Sequence, residues 1–307
     1  MVLMILITGA TGTIGSEVVR QLAQRGEKVR ALTRDPSKAQ AQARARARVP
    51  DGAGTGGGAG AEAEVEVVRG DYLDPASVDA AMAGASAVFL VGVLGPDDAD
   101  RDRALVEQAR AAGVRRVVKL SAIGTGDPAV GRVGTWHLPG EQAVRGSELE
   151  WTVLRPSAFA SNTLSWAEAI RTGEPVPNMT GDGLQGVIDP RDVSEVAVEA
   201  LLSARHAGHT YTLTGPETLG VPDQAAILAD VLGRPVATED LTPDESRARL
   251  TEWGMDAEYV EGVLAGSAYV RGGGNAVVTE EVLRVLGRPP RTYREWAVDH
   301  RAAFGES

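Results

Sequence analysis

The chain has 307 residues, of which 43% are hydrophobic, and its 31 basic and 42 acidic residues give a formal charge of −11. A surface of this charge repels nucleic acids and anionic membranes, so a small-molecule partner is expected. The sequence contains no cysteine, which excludes disulfides, thiolate metal sites and a cysteine nucleophile.

The amino-terminal apolar run predicts a buried strand over residues 2–8. This run lacks the basic leader and the small-residue cleavage site of a signal peptide. No later segment contains the roughly 20 apolar residues that are needed to cross a bilayer. We therefore expect a cytoplasmic monomer or homodimer that binds neither nucleic acid nor membranes.

Strands and helices alternate through the first half of the chain. A helix over residues 16–25 is followed by predicted strands over residues 28–33, 65–70, 87–93, 114–121 and 151–155, with helices over residues 100–112 and 141–145. Such alternation is typical of βαβ units with parallel strands. The expected fold class is therefore α/β, a Rossmann-type doubly wound parallel sheet with a smaller carboxyl-terminal substrate-binding region.

Residues 39–63 interrupt the alternation. They are mostly alanine, arginine, glutamine and glycine, which bury little apolar area, so the composition predicts a flexible surface insertion. Three arginines, Arg44, Arg46 and Arg48, raise a nucleic-acid alternative that the acidic net charge disfavours.

The second half of the chain is less regular. Its predicted elements are strands over residues 187–189 and 210–213 and helices over residues 191–202, 224–232, 244–253 and 277–286. We expect residues 1–156 to form the main α/β domain, with residues 184–204 returning to it. The substrate-binding region is expected over residues 157–183 and 205–307.

Three glycines with G-x-x-G-x-x-G spacing join the first strand to the first helix. Gly9 permits a tight turn, Gly12 lets a pyrophosphate approach the backbone, and Gly15 lets the helix pack closely. The helix N-terminus adds free N–H groups and the positive end of its dipole. The pattern predicts a dinucleotide site that also includes Thr11, Thr13 and Ile14.

The end of the second strand indicates which dinucleotide binds. NAD-dependent proteins keep an acidic residue about 20 residues beyond the glycine loop, whereas this chain has Thr33 and Arg34. An arginine can pair with the 2′-phosphate of NADPH in a fork geometry, and Ser37 and Lys38 can assist. The prediction is NADPH, although Asp35 follows directly.

Other strand ends complete the predicted cofactor site. Asp71 and Tyr72 follow the third strand, where a carboxylate can reach the adenine amine; a turn or helix cap is the alternative for Asp71. Gly92 lets the cofactor ribose approach the backbone. Backbone groups of the segment that contains Pro156, Ser157 and Phe159 are expected to hold the nicotinamide carboxamide.

Several stretches of the sequence together resemble the NmrA-like, atypical short-chain dehydrogenase/reductase family: residues 9–15, 118–121 (VKLS), 151–156 (WTVLRP), 188–193 (IDPRDV) and 288–296 (RPPRTYREW). The resemblance covers nearly the whole chain apart from residues 39–63. It implies a parallel sheet of order 3-2-1-4-5-6 and NADP(H) as cofactor. Members include quinone and azo reductases, ketone and ether reductases of secondary metabolism, and redox-sensing regulators without catalytic activity.

The family's usual mechanism uses a serine and a Tyr-x-x-x-Lys dyad. Ser121 fits the serine position, whereas counting back from Glu141 puts His137 at the lysine position and Val133 at the tyrosine position. One branch is thought to work with the lysine alone, and His137 would replace it here. An imidazole with its usual pKa of about 6.5 can donate or accept a proton near neutrality; a buried structural histidine is the alternative.

A substrate pocket for a flat molecule is predicted from Trp136, Asn162, Trp166 and Met179, with core packing as the alternative for each. No metal site is expected, because the histidines lack ligand spacing. These features predict an NADPH-dependent reductase that transfers hydride to a carbonyl or quinone of a small aromatic or secondary-metabolite substrate. The alternatives are a non-catalytic NADP(H)-sensing regulator and a cofactor-assisted epimerase or other isomerase.

Overall fold

The computed structural model describes residues 4–37, 65–92 and 99–305; Lys38 and the predicted insertion over residues 39–63 lie outside them. Its strands are β1 (Met4–Ile7), β2 (Lys28–Thr33), β3 (Val65–Arg69), β4 (Ala85–Leu90), β5 (Arg116–Leu120), β6 (Glu150–Pro156), β7 (Val176–Asn178), β8 (His209–Leu213) and β9 (Thr238–Asp240). Seven strands form one parallel sheet of order 3-2-1-4-5-6-8, and β7 pairs with β9 separately. The predicted doubly wound α/β class is confirmed, and β8 extends the expected six-strand order.

The helices connect these strands and cover the sheet. They are α1 (Thr13–Gln24), α2 (Pro75–Met82), α3 (Ala99–Ala111), α4 (Leu138–Arg145), α5 (Ala167–Thr172), α6 (Pro190–Leu202), α7 (Val221–Leu232), α8 (Pro243–Glu252), α9 (Ala257–Arg271), α10 (Glu281–Leu286) and α11 (Tyr293–Asp299). Two 3₁₀ segments, Pro128–Thr135 and Ala160–Trp166, follow β5 and β6. No helix within the described ranges is long and apolar enough to cross a membrane.

The sheet is buried on both faces, which explains the continuous apolar runs in its strands. Successive side chains of a strand point to opposite faces, so Ile5 and Ile7 pack with α1, α6 and α10, whereas Leu6 packs with α2, α3 and α4. A third apolar cluster joins α5, α7 and α11 around Trp296 and Tyr293. The carboxyl-terminal region therefore has a core of its own.

Ion pairs connect residues 288–291 of the carboxyl-terminal region to α6. Arg288 Nη2 lies 2.8 Å from Asp192 Oδ1, and Arg291 Nη2 lies 2.7 Å from Glu195 Oε1. Asp192 is fully buried, so its charge depends on these arginines. The stretches 188–193 and 288–296, which carried part of the resemblance, thus meet in the fold.

The structure differs from several predicted elements. Residues 187–189 form no strand, only an isolated bridge between Ile188 and Phe159, because the chain enters α6 at Pro190. The helix expected over residues 277–286 begins at Glu281. β8 comes from the range assigned to the substrate-binding region, yet it is the edge strand of the main sheet. Helices α2, α5 and α9 were not predicted.

Candidate active site

The glycine loop between β1 and α1 forms a tight backbone turn. Gly9 has a φ of 61°, which only glycine adopts readily, and Gly12 N donates to Gly9 O at 3.0 Å. A Cβ on Gly15 would lie 2.3 Å from Gly9 O, so this position must lack a side chain. Gly12 is exposed, and a Cβ there would meet only Gly9 O, at 3.3 Å. Its open side leaves room for a ligand.

The first turn of α1 is suited to an anion. No side chain caps it and no acidic residue lies in it, so its N–H groups remain available. Thr13 is exposed and Thr11 is half-buried, whereas the side chain of Ile14 is buried in the core. Ile14 can therefore contribute only its backbone, and the loop as a whole fits a pyrophosphate.

Arg34 stands exposed after β2 and makes no hydrogen bond or ion pair with any residue of the described ranges. The carboxylate of Asp35 accepts hydrogen bonds from Ser37 N at 3.0 Å and Ser37 Oγ at 2.5 Å. Thr33 is buried and its Oγ1 accepts from Asp35 N at 3.2 Å. Asp35 thus takes part in its own turn, while the guanidinium of Arg34 is exposed to solvent.

The neighbouring strand ends hold Asp71, Tyr72 and Gly92. Asp71 Oδ1 accepts from Leu73 N at 3.0 Å, which favours the turn-cap alternative for Asp71. Tyr72 is half-buried and its hydroxyl donates to Val91 O at 2.7 Å; burial raises its pKa. A Cβ on Gly92 would lie 2.2 Å from Asp102 Oδ1, so packing inside the protein already requires this glycine.

The predicted carboxamide-binding segment follows β6. Pro156 and Ser157 are buried, and Ser157 Oγ donates to Asn275 Oδ1 at 3.3 Å. Phe159 is half-buried beside Ile188. The segment therefore lies at the carboxyl end of the sheet, the edge at which ligands bind in doubly wound folds.

A cavity of about 230 Å³ lies at the carboxyl end of β5. Its lining comes from separate parts of the chain and is mainly apolar or aromatic: Ala122, Ile123, Val130, Val133, Trp136, His137 and Tyr259. The positions that sequence counting assigned to the family's tyrosine and lysine, Val133 and His137, thus face one space. Tyr259 was not singled out from the sequence.

His137 precedes α4 and is electrostatically unlike a free histidine. Burial, with a smaller contribution from the positive charge of Lys119, lowers the pKa of His137 to about 3. Its Nδ1 is buried without a hydrogen-bond partner. The expectation that this imidazole changes charge near neutrality is therefore wrong; the ring is neutral at pH 7.

A fully buried ion pair lies beneath the cavity. Lys119 Nζ is 2.5 Å from Asp102 Oδ2 and donates to Leu120 O at 2.8 Å, and both side chains are completely inaccessible. A Cβ on Gly140 would lie 2.5 Å from Asp102 Oδ2. Sequence reasoning missed the pair, although a lysine within the apolar run of β5 was a signal, because such a charge needs a partner.

Ser121 donates its hydroxyl proton to a buried carboxylate, that of Glu141, at 2.6 Å. Arg155 pairs with both oxygens of Glu141, at 2.8 and 2.6 Å, and Arg145 lies 3.0 Å away. Burial alone would raise the pKa of Glu141, but the hydrogen bonds from Arg155 and Ser121 and the arginine charges lower it. Ser121 Oγ also lies 3.2 Å from Thr125 Oγ1, and because its proton is directed to Glu141 it has none to donate to a substrate.

The predicted substrate residues do not all meet. Trp136 lines the cavity, with its ring centroid 5.9 Å from that of Tyr259. Trp166 packs in the carboxyl-terminal core, Asn162 is exposed, and Met179 is half-buried with its carbonyl bonded to Arg271. Core packing is therefore the better interpretation for Trp166, and none of these last three lines the cavity after β5.

Comparison with known proteins agrees with this fold. The profile of an NAD(P)H-binding family matches residues 9–55 and 58–204. The chain is 40% identical, over 98% of its length and 99% of the relative's, to (4-alkanoyl-5-oxo-2,5-dihydrofuran-3-yl)methyl phosphate reductase of Streptomyces griseus subsp. griseus. It is 35% identical to the NAD(P)H azoreductase of Xenophilus azovorans, over 98% of this chain and 99% of that one.

A solved structure shares the fold. The NADPH-dependent quinone oxidoreductase of Escherichia coli, complexed with NADPH, superposes with a TM-score of 0.79. The match covers 96% of this chain and 99% of that chain, at 24% identity. Together with the family match and the two full-length relatives, the glycine loop and the sheet order lead to one assignment. The chain belongs to this NAD(P)H-binding family, as an NADPH-dependent oxidoreductase.

Proposed function

We propose that this protein is an NADPH-dependent reductase of small, uncharged aromatic carbonyl compounds, with quinones as the preferred class. The observation that carries the proposal is the lining of the cavity after β5. Among the described residues that line it, none carries a charge, and Trp136 and Tyr259 are large aromatic residues. His137 is neutral at pH 7 because burial lowers the pKa of its imidazole. Such a surface favours an apolar ring and penalises a charged substrate.

The cofactor would bind across the carboxyl ends of the parallel strands. When bound, the reduced nicotinamide supplies the hydride. The glycine loop and the first turn of α1 would hold the pyrophosphate, and Arg34 the 2′-phosphate. The segment that contains Pro156, Ser157 and Phe159 would hold the carboxamide at the same edge of the sheet as the cavity.

The polar groups beside the cavity can orient a substrate oxygen. Nδ1 of His137 is buried without a partner, so Nε2 is the ring nitrogen through which His137 would bind a substrate oxygen. Ser121 directs its proton to Glu141 and has none to donate to a substrate oxygen. Val133 stands at the tyrosine position and cannot donate a proton to the reduced substrate oxygen. This favours a quinone, because the anion that its reduction gives is already stable without a proton.

The relatives' names are compatible with a conjugated electron acceptor. An azo group and an alkanoyl-substituted oxo-dihydrofuran both accept hydride, as a quinone does. The furanone named for the Streptomyces relative also carries a phosphate. The described lining of this cavity has no cation to pair with such a group, so we propose an uncharged substrate for this chain.

The test is NADPH oxidation by the purified protein with matched substrates. Naphthoquinone and its sulfonate have the same ring and differ in charge. We expect naphthoquinone to give a kcat/KM at least about tenfold higher, because a buried sulfonate would be left unpaired. Rates are compared with the same mixture without protein. NADPH binding without turnover of any quinone or aromatic ketone would contradict the proposal and favour the sensor alternative.

A further inference from the structure

The cavity after β5 lacks an obvious acid. Reduction of a carbonyl group places negative charge on its oxygen, and a neutral imidazole is a poor proton source. Three lining residues carry an N–H or O–H group on their side chains: Trp136, His137 and Tyr259. An indole N–H only donates a hydrogen bond, whereas a phenol can release its proton and take it back. Tyr259 is thus the lining side chain best suited to act as an acid.

Tyr259 is placed by local contacts that leave its hydroxyl free. Asp256 caps α9 by accepting a hydrogen bond from Tyr259 N at 2.8 Å. The ring lies 5.9 Å from that of Trp136, centroid to centroid. Within the described part of the chain, the hydroxyl makes no hydrogen bond. The ring is therefore oriented while its polar atom remains available to a ligand.

Helix α9 packs directly against two of the residues that line the cavity, Trp136 and Val133. A Cβ on Gly262 would lie 2.4 Å from Trp136 Cζ2, so the indole rests directly on the helix backbone. One turn further along, a Cβ on Gly266 would be 3.9 Å from Val133 Cγ1. This close packing brings Tyr259 into the same space as His137, although the two are far apart in sequence.

We propose that Tyr259 is the proton donor of this site and also positions the substrate oxygen. The inference rests on the proposed reductase function. With a ketone substrate, the hydride that the bound nicotinamide would supply adds to the carbonyl carbon, and the π electron pair moves to the oxygen. An O–H bond forms there while the Tyr259 O–H bond breaks, and the phenolate regains its proton from water. His137 holds the same oxygen through a hydrogen bond.

The test compares Tyr259→Phe with Tyr269→Phe. Both tyrosines lie on α9 and both variants lose one hydroxyl, but Tyr269 bonds to Asp127 and is absent from the cavity lining. The first readout is the dissociation constant of naphthoquinone from the NADP⁺-loaded protein, measured by calorimetry. Tyr259→Phe should raise it about threefold to tenfold, the effect of one lost hydrogen bond. The second readout is kcat with an uncharged aromatic ketone such as 1-tetralone, which should fall about tenfold to a hundredfold. The kcat for naphthoquinone, whose reduced anion is already stable, should fall less.

The outcomes separate this inference from the proposed function. A selective effect of Tyr259→Phe on binding or on kcat supports the role of Tyr259. Equal behaviour of the two variants in both readouts, with an active parent protein, overturns the role and leaves the reductase function standing. A parent protein that binds NADPH but reduces no quinone or aromatic ketone contradicts the reductase function, and the inference fails with it. Urea unfolding confirms that each variant is folded.

Discussion

The glycine loop and the cavity after β5 are built in opposite ways. The loop is one short run of consecutive residues, 9–15, and it offers mainly backbone atoms. The cavity takes its lining from three separate stretches, residues 122–123, 130–137 and 259, and offers side chains. A site of the first kind depends on local conformation, whereas a site of the second kind depends on packing between distant elements.

The charged side chains of the two regions also differ in exposure and in pairing. Near the loop, Arg34 is exposed and has no partner within the described ranges. Around the cavity, charges are buried and paired, as in Lys119 with Asp102 and Glu141 with Arg155. The lining itself stays neutral, with paired charges beneath it. Four substitutions test this contrast, from the largest expected effect to the smallest.

Lys119→Met should be the most damaging of these changes. It removes the cation that lies 2.5 Å from the buried carboxylate of Asp102, and breaking a buried ion pair on one side typically costs about 3–5 kcal/mol in the free energy of unfolding. Urea unfolding measures this loss. The double variant Lys119→Met with Asp102→Asn removes both charges and should regain most of it. If the double variant is no more stable than the single one, the ion pair does not control this part of the core.

Arg34→Ala should weaken NADPH binding about tenfold to a hundredfold, since a charge-assisted phosphate contact is typically worth about 1.5–3 kcal/mol. NADH has no 2′-phosphate, so its affinity should stay the same. Calorimetry with both cofactors provides the measurement and its internal control. An equal loss of affinity for NADPH and NADH would show that Arg34 does not bind the 2′-phosphate.

Gly262→Ala should change the shape of the cavity by displacing Trp136, although Gly262 itself does not line the cavity. The new Cβ would lie 2.4 Å from the ring of Trp136, and overpacking of this kind typically costs about 1–3 kcal/mol. We expect a higher KM for naphthoquinone and altered tryptophan fluorescence. Gly266→Ala is the matched control on the same helix, where the Cβ makes an ordinary contact at 3.9 Å and alanine favours the helix. Identical behaviour of the two variants would contradict the packing of Trp136 on α9.

His137→Gln should have the smallest effect on turnover, a loss in kcat of less than about tenfold, because the neutral imidazole only orients the substrate. Its clearer effect is on acid stability. The pKa of His137 is near 3 when folded and about 6.5 when unfolded, so the unfolded state binds the proton first as pH falls below 6.5. This contribution is present above pH 6.5 and is lost progressively towards pH 3.

The measurement is the change in unfolding free energy between pH 7 and pH 5. His137→Gln should reduce the loss on acidification by about 1–2 kcal/mol, since glutamine does not titrate. The control is His209→Gln, a substitution of an exposed histidine. An unchanged loss in His137→Gln would mean that the imidazole is not held neutral. A complete loss of turnover in the folded variant would make His137 essential.

The sequence predicted the cofactor end of the molecule in detail. The glycine loop and the position of Arg34 lie in strand–turn–helix units in which neighbours in sequence are neighbours in space. The strand order was implied by the family resemblance, and the sheet has it with β8 added. The same reasoning failed for Trp166, which the 3₁₀ segment after β6 carries into the carboxyl-terminal core. It also missed α9, because Gly262 and Gly266 lower its helix propensity while the packing against Trp136 requires a glycine.

The sequence by itself therefore determined the fold class and the NAD(P)H-binding family and predicted a backbone site for the dinucleotide, because these depend on local periodicity and on glycine positions. Only the tertiary structure decided the chemistry of the cavity. The neutral state of His137, the hydrogen bond from Ser121 to Glu141 and the presence of Tyr259 all arise from side chains that distant elements bring together. A pKa and a hydrogen-bond partner are properties of those surroundings, and residue spacing along the chain does not encode them.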